Sequence, residues 1–126
     1  MGYDFAVKDA DTSHRLNDWE MSHVRLVMLE AGAVAGGGLE RIFGNEQFAP
    51  AADTVPVGYF SSNDGRQVTA AQSAFIAARL RAALASGLIG DMGLFYVDQP
   101  TQLPDWVEEF AAFNEQAATR GGYVVR

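Results

Sequence analysis

Apolar residues at helical spacing predict three helices, and the first of them begins at Asn17. Asn17 and Glu20 have the spacing of a capping box, and the pattern runs to about Ala31, just before Gly32. Apolar side chains fall on two sides of this helix, with Val24, Val27, Met28 and Ala31 on one side and Trp19, Leu26 and Leu29 on the other. Such a helix either lies centrally in the fold or is partly covered by another chain. We expect central burial, and a homodimer stays open as the alternative.

The second and third helices are predicted in the second half of the chain. Thr69 and Gln72 form another capping-box pair, and Gly87 is a typical helix stop. The third helix begins around Leu103–Asp105, with a proline in its first turn, and ends before Gly121. A one-sided apolar stripe at i, i+4, i+7 and i+11 supports it, formed by Trp106, Phe110, Phe113 and Ala117.

Four short segments have the composition of strands and lie around these helices. They are Tyr3–Val7, Val55–Phe60, Leu94–Val97 and Tyr123–Val125. The first and last can join the two chain ends in a small sheet, although the pattern does not determine the pairing. The sequence therefore predicts an α+β fold that is mainly helical, with three principal helices and a small minor sheet. At 126 residues, we expect residues 1–126 to form a single domain.

Composition narrows the classes of function. The chain has no cysteine, which excludes disulfides and thiolate sites, and its net charge of −7 is unfavourable for binding nucleic acids or anionic membranes. The N-terminus has no basic region followed by an apolar one, so we expect no secretory signal. No stretch approaches the roughly 18–20 consecutive apolar residues of a membrane span. A cytoplasmic protein is expected.

The residues that most often carry catalysis or bind metals match no known pattern here. The glycine-rich run at residues 32–38 follows a predicted helix and lacks the Gly-Lys-Ser/Thr of a phosphate loop. His14 and His23 are the only histidines, and their spacing matches no zinc motif, although acids lie near them at Asp11, Asp18 and Glu20. No serine lies in a Gly-x-Ser-x-Gly motif. We therefore predict no catalytic residue, metal or cofactor, and a protein that is not an enzyme.

Acidic residues are concentrated in one segment. Between Arg81 and Arg120 there is no lysine or arginine, and six acids occur there: Asp91, Asp98, Asp105, Glu108, Glu109 and Glu115. One interpretation is that these acids form an ordinary solvated helix face. The other interpretation is a docking surface for a basic protein, because a field of one sign accelerates the encounter with a partner of opposite charge. If the segment is a docking surface, reversing Glu108, Glu109 and Glu115 to lysine should abolish partner binding.

A second candidate site is the loop at residues 59–64. Tyr59, Asn63 and Asp64 offer polar and aromatic groups that can bind a small ligand. Asn-Asp-Gly at residues 63–65 is also a natural turn before a capped helix, because Asn and Asp bond to local backbone and glycine tolerates positive φ.

The same region resembles a known group of proteins. The stretch Tyr59–Ala70, running into an alanine-rich helix, is similar to a widespread group of small uncharacterised bacterial proteins, as are the tail from Trp106 to Val124 and the early Trp19. The glycine-rich run departs from their pattern, where a Gly-Trp-x-Pro-like stretch is expected. The resemblance implies an immunity or accessory protein of a bacterial toxin system, and it names no catalytic residue.

Three functional hypotheses follow, and one of them is a homo-oligomeric structural protein, prompted by the two apolar sides of the first helix. The first is a protein-binding module, namely an immunity-type inhibitor that neutralises a basic toxin domain through its acidic surface. The alternative is a small-ligand binding or enzymatic domain that uses the 59–64 loop, for which a deep pocket beside that loop would be the diagnostic feature.

Overall fold

Four α-helices dominate the described part of the chain. The computed structural model describes residues 2–7, 12–43, 45–62 and 64–126. Within these ranges the helices are α1 (Asp18–Glu30), α2 (Ala70–Ser86), α3 (Leu88–Phe95) and α4 (Leu103–Ala118), together with two 3-10 helices at Glu46–Phe48 and Val57–Phe60. The α+β class and the helices α1, α2 and α4 are confirmed. The predicted number of three helices is wrong, because α3 lies directly after α2.

Local hydrogen bonds explain where the predicted helices begin and end. The side chain of Asn17 accepts from the Glu20 backbone amide at 2.7 Å, and the Glu20 carboxylate accepts from the Asn17 amide at 2.9 Å. Thr69 and Gln72 form the same reciprocal box at the start of α2. Gly87 has a φ of +79°, which ends α2 and lets α3 leave in a new direction.

The strands form two small sheets. Their bounds are β1 (Gly2–Val7), β2 (Ser13–Asn17), β3 (Val34–Ala35), β4 (Val55–Pro56), β5 (Arg66–Val68) and β6 (Tyr123–Val125). The larger sheet is antiparallel with the order β2-β1-β6-β5, and β3 and β4 form a parallel pair. Phe5 faces Val125 across β1 and β6, so the two ends of the chain are joined in one sheet.

Two of the four predicted strands differ from the structure. The segments Tyr3–Val7 and Tyr123–Val125 are strands, as predicted. The segment Val55–Phe60 begins as β4 but continues as a 3-10 helix. The segment Leu94–Val97 is not a strand, since its first two residues complete α3 and the next two begin a loop.

The hydrophobic core lies between the larger sheet and the helices. Phe5 and Tyr123 of the sheet are fully buried against Phe110 and Phe113 of α4, with the Phe5 and Phe110 ring centroids 4.9 Å apart. One apolar side of α1 is fully buried, as expected for a central helix. The other side is only partly covered, and Trp19 in its first turn is 56% exposed.

Candidate functional site

The end of α3 carries large apolar side chains that water reaches. Leu94, Phe95 and Val97 are exposed by 89%, 60% and 96%, although single exposed hydrophobic residues are common in proteins. Phe43 packs edge-on against Phe95 with ring centroids 6.4 Å apart, and the exposed Ile42 precedes it. We call Ile42, Phe43, Leu94, Phe95 and Val97 the α3 patch. A contiguous apolar patch of this kind typically marks an interaction site.

A buried carboxylate holds one side of the α3 patch in place. Glu30, in the last turn of α1, is only 3% exposed. Its oxygens accept from the backbone amide of Ile42 at 2.9 Å and from that of Phe43 at 3.1 Å. These bonds satisfy the buried carboxyl oxygens and hold the 42–43 segment, whose Phe43 packs against Phe95. An acid is unfavourable at a helix C-terminus, so Glu30 is explained by this tertiary contact.

A cavity of about 250 Å³ adjoins the α3 patch. It lies between α1, α3 and the loop that leads into α4, and its walls are mostly apolar. The lining residues are His23, Leu26, Met92, Phe95, Tyr96, Val97, Asp98, Gln99 and Leu103. The loop is fastened to α3 because the Gln99 side-chain amide donates to the Ile89 carbonyl at 3.0 Å.

An aromatic cluster continues from the cavity along the starts of α1 and α4. His23 lines the cavity and packs edge-on against Trp19, with ring centroids 5.2 Å apart. Trp19 in turn meets Trp106 of α4 at 5.4 Å. Trp106, whose stripe was predicted from the sequence, is half-buried.

The structure divides the six acids of the 82–119 segment into separate groups. Asp91 lines a groove of about 360 Å³ with Phe43, Leu94 and Phe95, and Asp98 lines the cavity. Asp105 lies exposed in the first turn of α4, next to Trp106. Two of the six predicted residues therefore border the α3 patch directly.

The three glutamates of α4 lie apart from the α3 patch. Arg81 of α2 pairs with Glu108 at 2.5 Å and with Glu115 at 2.8 Å, and its hydrogen bond to Glu115 lowers the pKa of that carboxyl. Glu109 lines a different groove, together with His14 of β2. The one-signed charge seen in the sequence is thus partly neutralised on α4 by an arginine just outside the segment.

In the second candidate site, the 59–64 loop, the predicted residues Tyr59 and Asp64 form contacts within or next to the loop. Tyr59 is half-buried in the 3-10 helix, and the guanidinium of Arg66 lies 5.4 Å from the centre of its ring. Asp64 is exposed and accepts a hydrogen bond from the Ser62 hydroxyl at 2.9 Å. The predicted residue Asn63 lies outside the described residues. Among the described residues of this loop, none lines the cavities around α3 or the groove beside His14.

The two histidines do not share a site. His14 lies in β2 among the rings of Phe5, Phe110 and Phe113, whereas His23 lines the cavity on α1. Asp11, considered with them, lies outside the described residues. In the described ranges, no group of three or more His, Cys, Asp or Glu side chains is arranged to hold a metal ion.

The length and composition of the helices bear on whether one of them could cross a membrane. Among the described residues, no individual helix has both the length and the apolar composition needed to cross a membrane. The helices α2 and α3 meet that test only when taken together, and they are bent by 71° at their junction.

The comparisons with known proteins identify no relative. No family model matches the chain, and neither the curated proteins nor the solved structures contain a significant match.

Proposed function

We propose that this protein is a protein-binding module that docks a basic partner on the α3 patch. The observation that carries the proposal is the exposure of Leu94, Phe95 and Val97 as neighbours, with the carboxylates of Asp91 and Asp98 beside them. Burying these apolar side chains against a partner releases water from them and is favourable. The carboxylates favour a partner that carries positive charges beside its apolar surface.

The arrangement matches the general anatomy of a protein interface. Interfaces have an apolar centre surrounded by a polar rim, and aromatic side chains are enriched at the centre. Here Phe95 and Phe43 supply the aromatic centre, and Asp91 and Asp98 supply the rim. The complementary partner presents apolar side chains flanked by lysine or arginine, and its charge speeds the encounter.

Within this class, the proposed role is that of an immunity-type inhibitor of a basic toxin domain. Such an inhibitor needs area, shape and opposite charge, and it needs no reactive group of its own. The net charge of −7 and the sequence resemblance described above support this role. The 59–64 loop remains the alternative prediction, and no observation of the structure favours it over the α3 patch.

Site-specific photo-cross-linking tests the proposal in the cell that makes the protein. A benzophenone amino acid replaces Leu94 in one variant and Ala74, exposed on α2, in the matched control. We expect an adduct with a basic protein from position 94 and none from position 74. The same adducts from both positions, an adduct only with a second copy of this chain, or no adduct at all would each contradict the proposal.

The cross-linked partner then allows a quantitative test. Leu94→Ser removes an apolar side chain from the α3 patch, and Leu39→Ser removes an exposed leucine outside it. We expect Leu94→Ser to weaken binding roughly tenfold, as for a central interface residue, and Leu39→Ser to change it by less than about twofold. Equal effects of the two variants would show that the partner does not dock on the α3 patch. For the inhibitor role, the partner must also lose its toxicity when the wild-type chain is co-expressed.

A further inference from the structure

The cavity beside the α3 patch is large enough to take one side chain of a partner. Its volume of about 250 Å³ lies below the roughly 300–1,000 Å³ of sites for drug-sized ligands. Phe95 and Val97 belong both to its lining and to the α3 patch. A partner docked on the patch therefore covers the cavity, and one of its side chains can enter.

The walls suit a side chain with an apolar stem and a planar end. Met92 and Leu103 are buried and Leu26 is half-buried, so they offer an apolar lining. Phe95 and Tyr96 also line the cavity and are its aromatic residues besides His23. Methylene groups pack on such walls, and a guanidinium group stacks on aromatic faces.

The negative charge of Asp98 at the cavity favours a positively charged occupant. Asp98 contributes an exposed carboxylate, and within the described ranges it forms no ion pair. Arg41, which precedes Ile42 of the α3 patch, donates to the Asn45 carbonyl, and Arg25, Arg79 and Arg81 donate to other carbonyls or to glutamates. When a docked partner covers the cavity, an uncharged occupant would take water from the exposed Asp98 carboxylate without replacing its hydrogen bonds, which is costly.

Building on the proposed function, we propose that the cavity receives an arginine side chain of the basic partner. Its stem packs between Leu26, Met92 and Leu103, and its guanidinium pairs with the Asp98 carboxylate against an aromatic ring. Arginine fits better than lysine, because only a planar guanidinium can stack on a ring and form two parallel hydrogen bonds to a carboxylate.

NMR titration of the isolated protein tests this without the partner. The probe is N-acetyl-arginine methylamide, with the lysine and norleucine analogues as comparisons. We expect the arginine probe to saturate with a dissociation constant on the order of 1–10 mM and to shift the amide signals of residues 92–103. The lysine probe should bind about threefold more weakly, and the norleucine probe should not saturate.

Two neutralised carboxylates provide the matched pair of variants. Asp98→Asn should weaken the arginine probe roughly fivefold, whereas Asp53→Asn, which makes the same change on an exposed residue away from the cavity and the α3 patch, should alter it by less than about twofold. Both residues are exposed, so neither change threatens folding. Equal binding of arginine and norleucine probes, shifts elsewhere in the protein, or no saturation of the arginine probe overturns the assignment.

The docking surface and its arginine anchor are separable by experiment. A cross-link from position 94 together with an inert arginine probe would leave the docking surface standing and remove its arginine anchor. A saturating arginine probe without any cross-linked basic partner would remove the docking function while leaving a cation site.

Discussion

At the scale of single residues, His14 is a polar group in apolar surroundings. Its ring lies among Phe5, Phe110 and Phe113, with centroids 5.6–6.3 Å away. Its Nε2 atom is buried and has no hydrogen-bond partner in the described part of the chain. Burial lowers the pKa of His14, and the negative charges of Glu109 and Glu20 oppose this effect only in part.

This environment predicts a loss of stability on acidification. The unfolded chain takes up a proton at His14 near its ordinary pKa of 6.5, whereas the folded protein does so only at lower pH. The contribution of neutral His14 is therefore complete above about pH 6.5 and is lost as the pH falls through the lowered pKa. Urea unfolding of the wild type and of His14→Phe, measured at about pH 7.5 and about pH 5, checks this. The wild type should lose more stability than the variant; equal losses would contradict the assignment.

The pair Asn114 and Tyr123 shows the opposite case, in which buried polar groups satisfy each other. Both residues are fully buried, and the Tyr123 hydroxyl donates to the Asn114 side-chain oxygen at 2.8 Å. The Asn114 amide also donates to the Phe110 carbonyl at 2.9 Å. This connection ties α4 to β6.

Removing the hydroxyl leaves a buried acceptor without a donor. We expect Tyr123→Phe to lower the free energy of unfolding by about 1–3 kcal/mol. The Asn114 oxygen would then be buried without a hydrogen-bond donor, and leaving a buried acceptor unsatisfied is unfavourable by about this amount. Tyr59→Phe is the control, since Tyr59 is only half-buried and should change stability by less than about 0.5 kcal/mol. Urea denaturation measures both, and similar losses in the two variants would argue against the buried bond.

At the scale of elements, local chemistry decided the helix ends and long-range contacts decided most of the strands. The capping boxes at Asn17 and Thr69 act within three residues, so the sequence predicts them directly. By contrast, β2 and β5 are short and largely polar and pair only because β1 and β6 lie beside them. The helix α3 was missed because it contains two glycines and ends in residues typical of strands.

Two glycines with positive φ predict different responses to substitution. Gly122 and Gly87 have φ values of +89° and +79°. A Cβ at Gly122 would lie 2.0 Å from the Val68 carbonyl oxygen, whereas one at Gly87 meets nothing within 4 Å. Gly87→Ala should therefore cost only the roughly 1–2 kcal/mol of left-handed backbone.

Gly122→Ala should cost on the order of 3 kcal/mol or more, because β5 must also shift away. Denaturant unfolding of both variants provides the comparison. Equal destabilisation would mean that the turn after α4 can open away from β5 without cost.

At the scale of the whole molecule, the position of Arg81 determines which acids remain available to a partner. It pairs with Glu108 and Glu115, while Asp91 and Asp98 border the α3 patch. Reversing the glutamates to lysine would also break these ion pairs, so it does not test partner steering alone.

Two charge-matched triple variants separate these surfaces. Asp91→Asn/Asp98→Asn/Asp105→Asn and Glu108→Gln/Glu109→Gln/Glu115→Gln each remove three negative charges from the net −7. We expect the aspartate variant to slow association with the basic partner roughly tenfold at low salt and the glutamate variant to slow it by less than about threefold.

Stopped-flow association rates at several salt concentrations measure the difference between the triple variants. Because screening weakens steering, the gap between them should narrow as salt rises. If the glutamate variant is slowed as much as the aspartate variant, net charge alone governs the encounter.

The sequence by itself determined the helices α1, α2 and α4, their caps, the terminal strands and the acidic character of the 82–119 segment. These features depend on neighbours within a turn of helix or on composition, and both can be read along the chain. Only the tertiary structure showed that Glu30 holds Phe43 beside Phe95, that Arg81 binds two of the acids, and that a cavity lies next to Asp98. Each of these contacts joins residues that are far apart in the chain. The spacing of residue types along the sequence does not indicate which distant side chains meet in the folded protein.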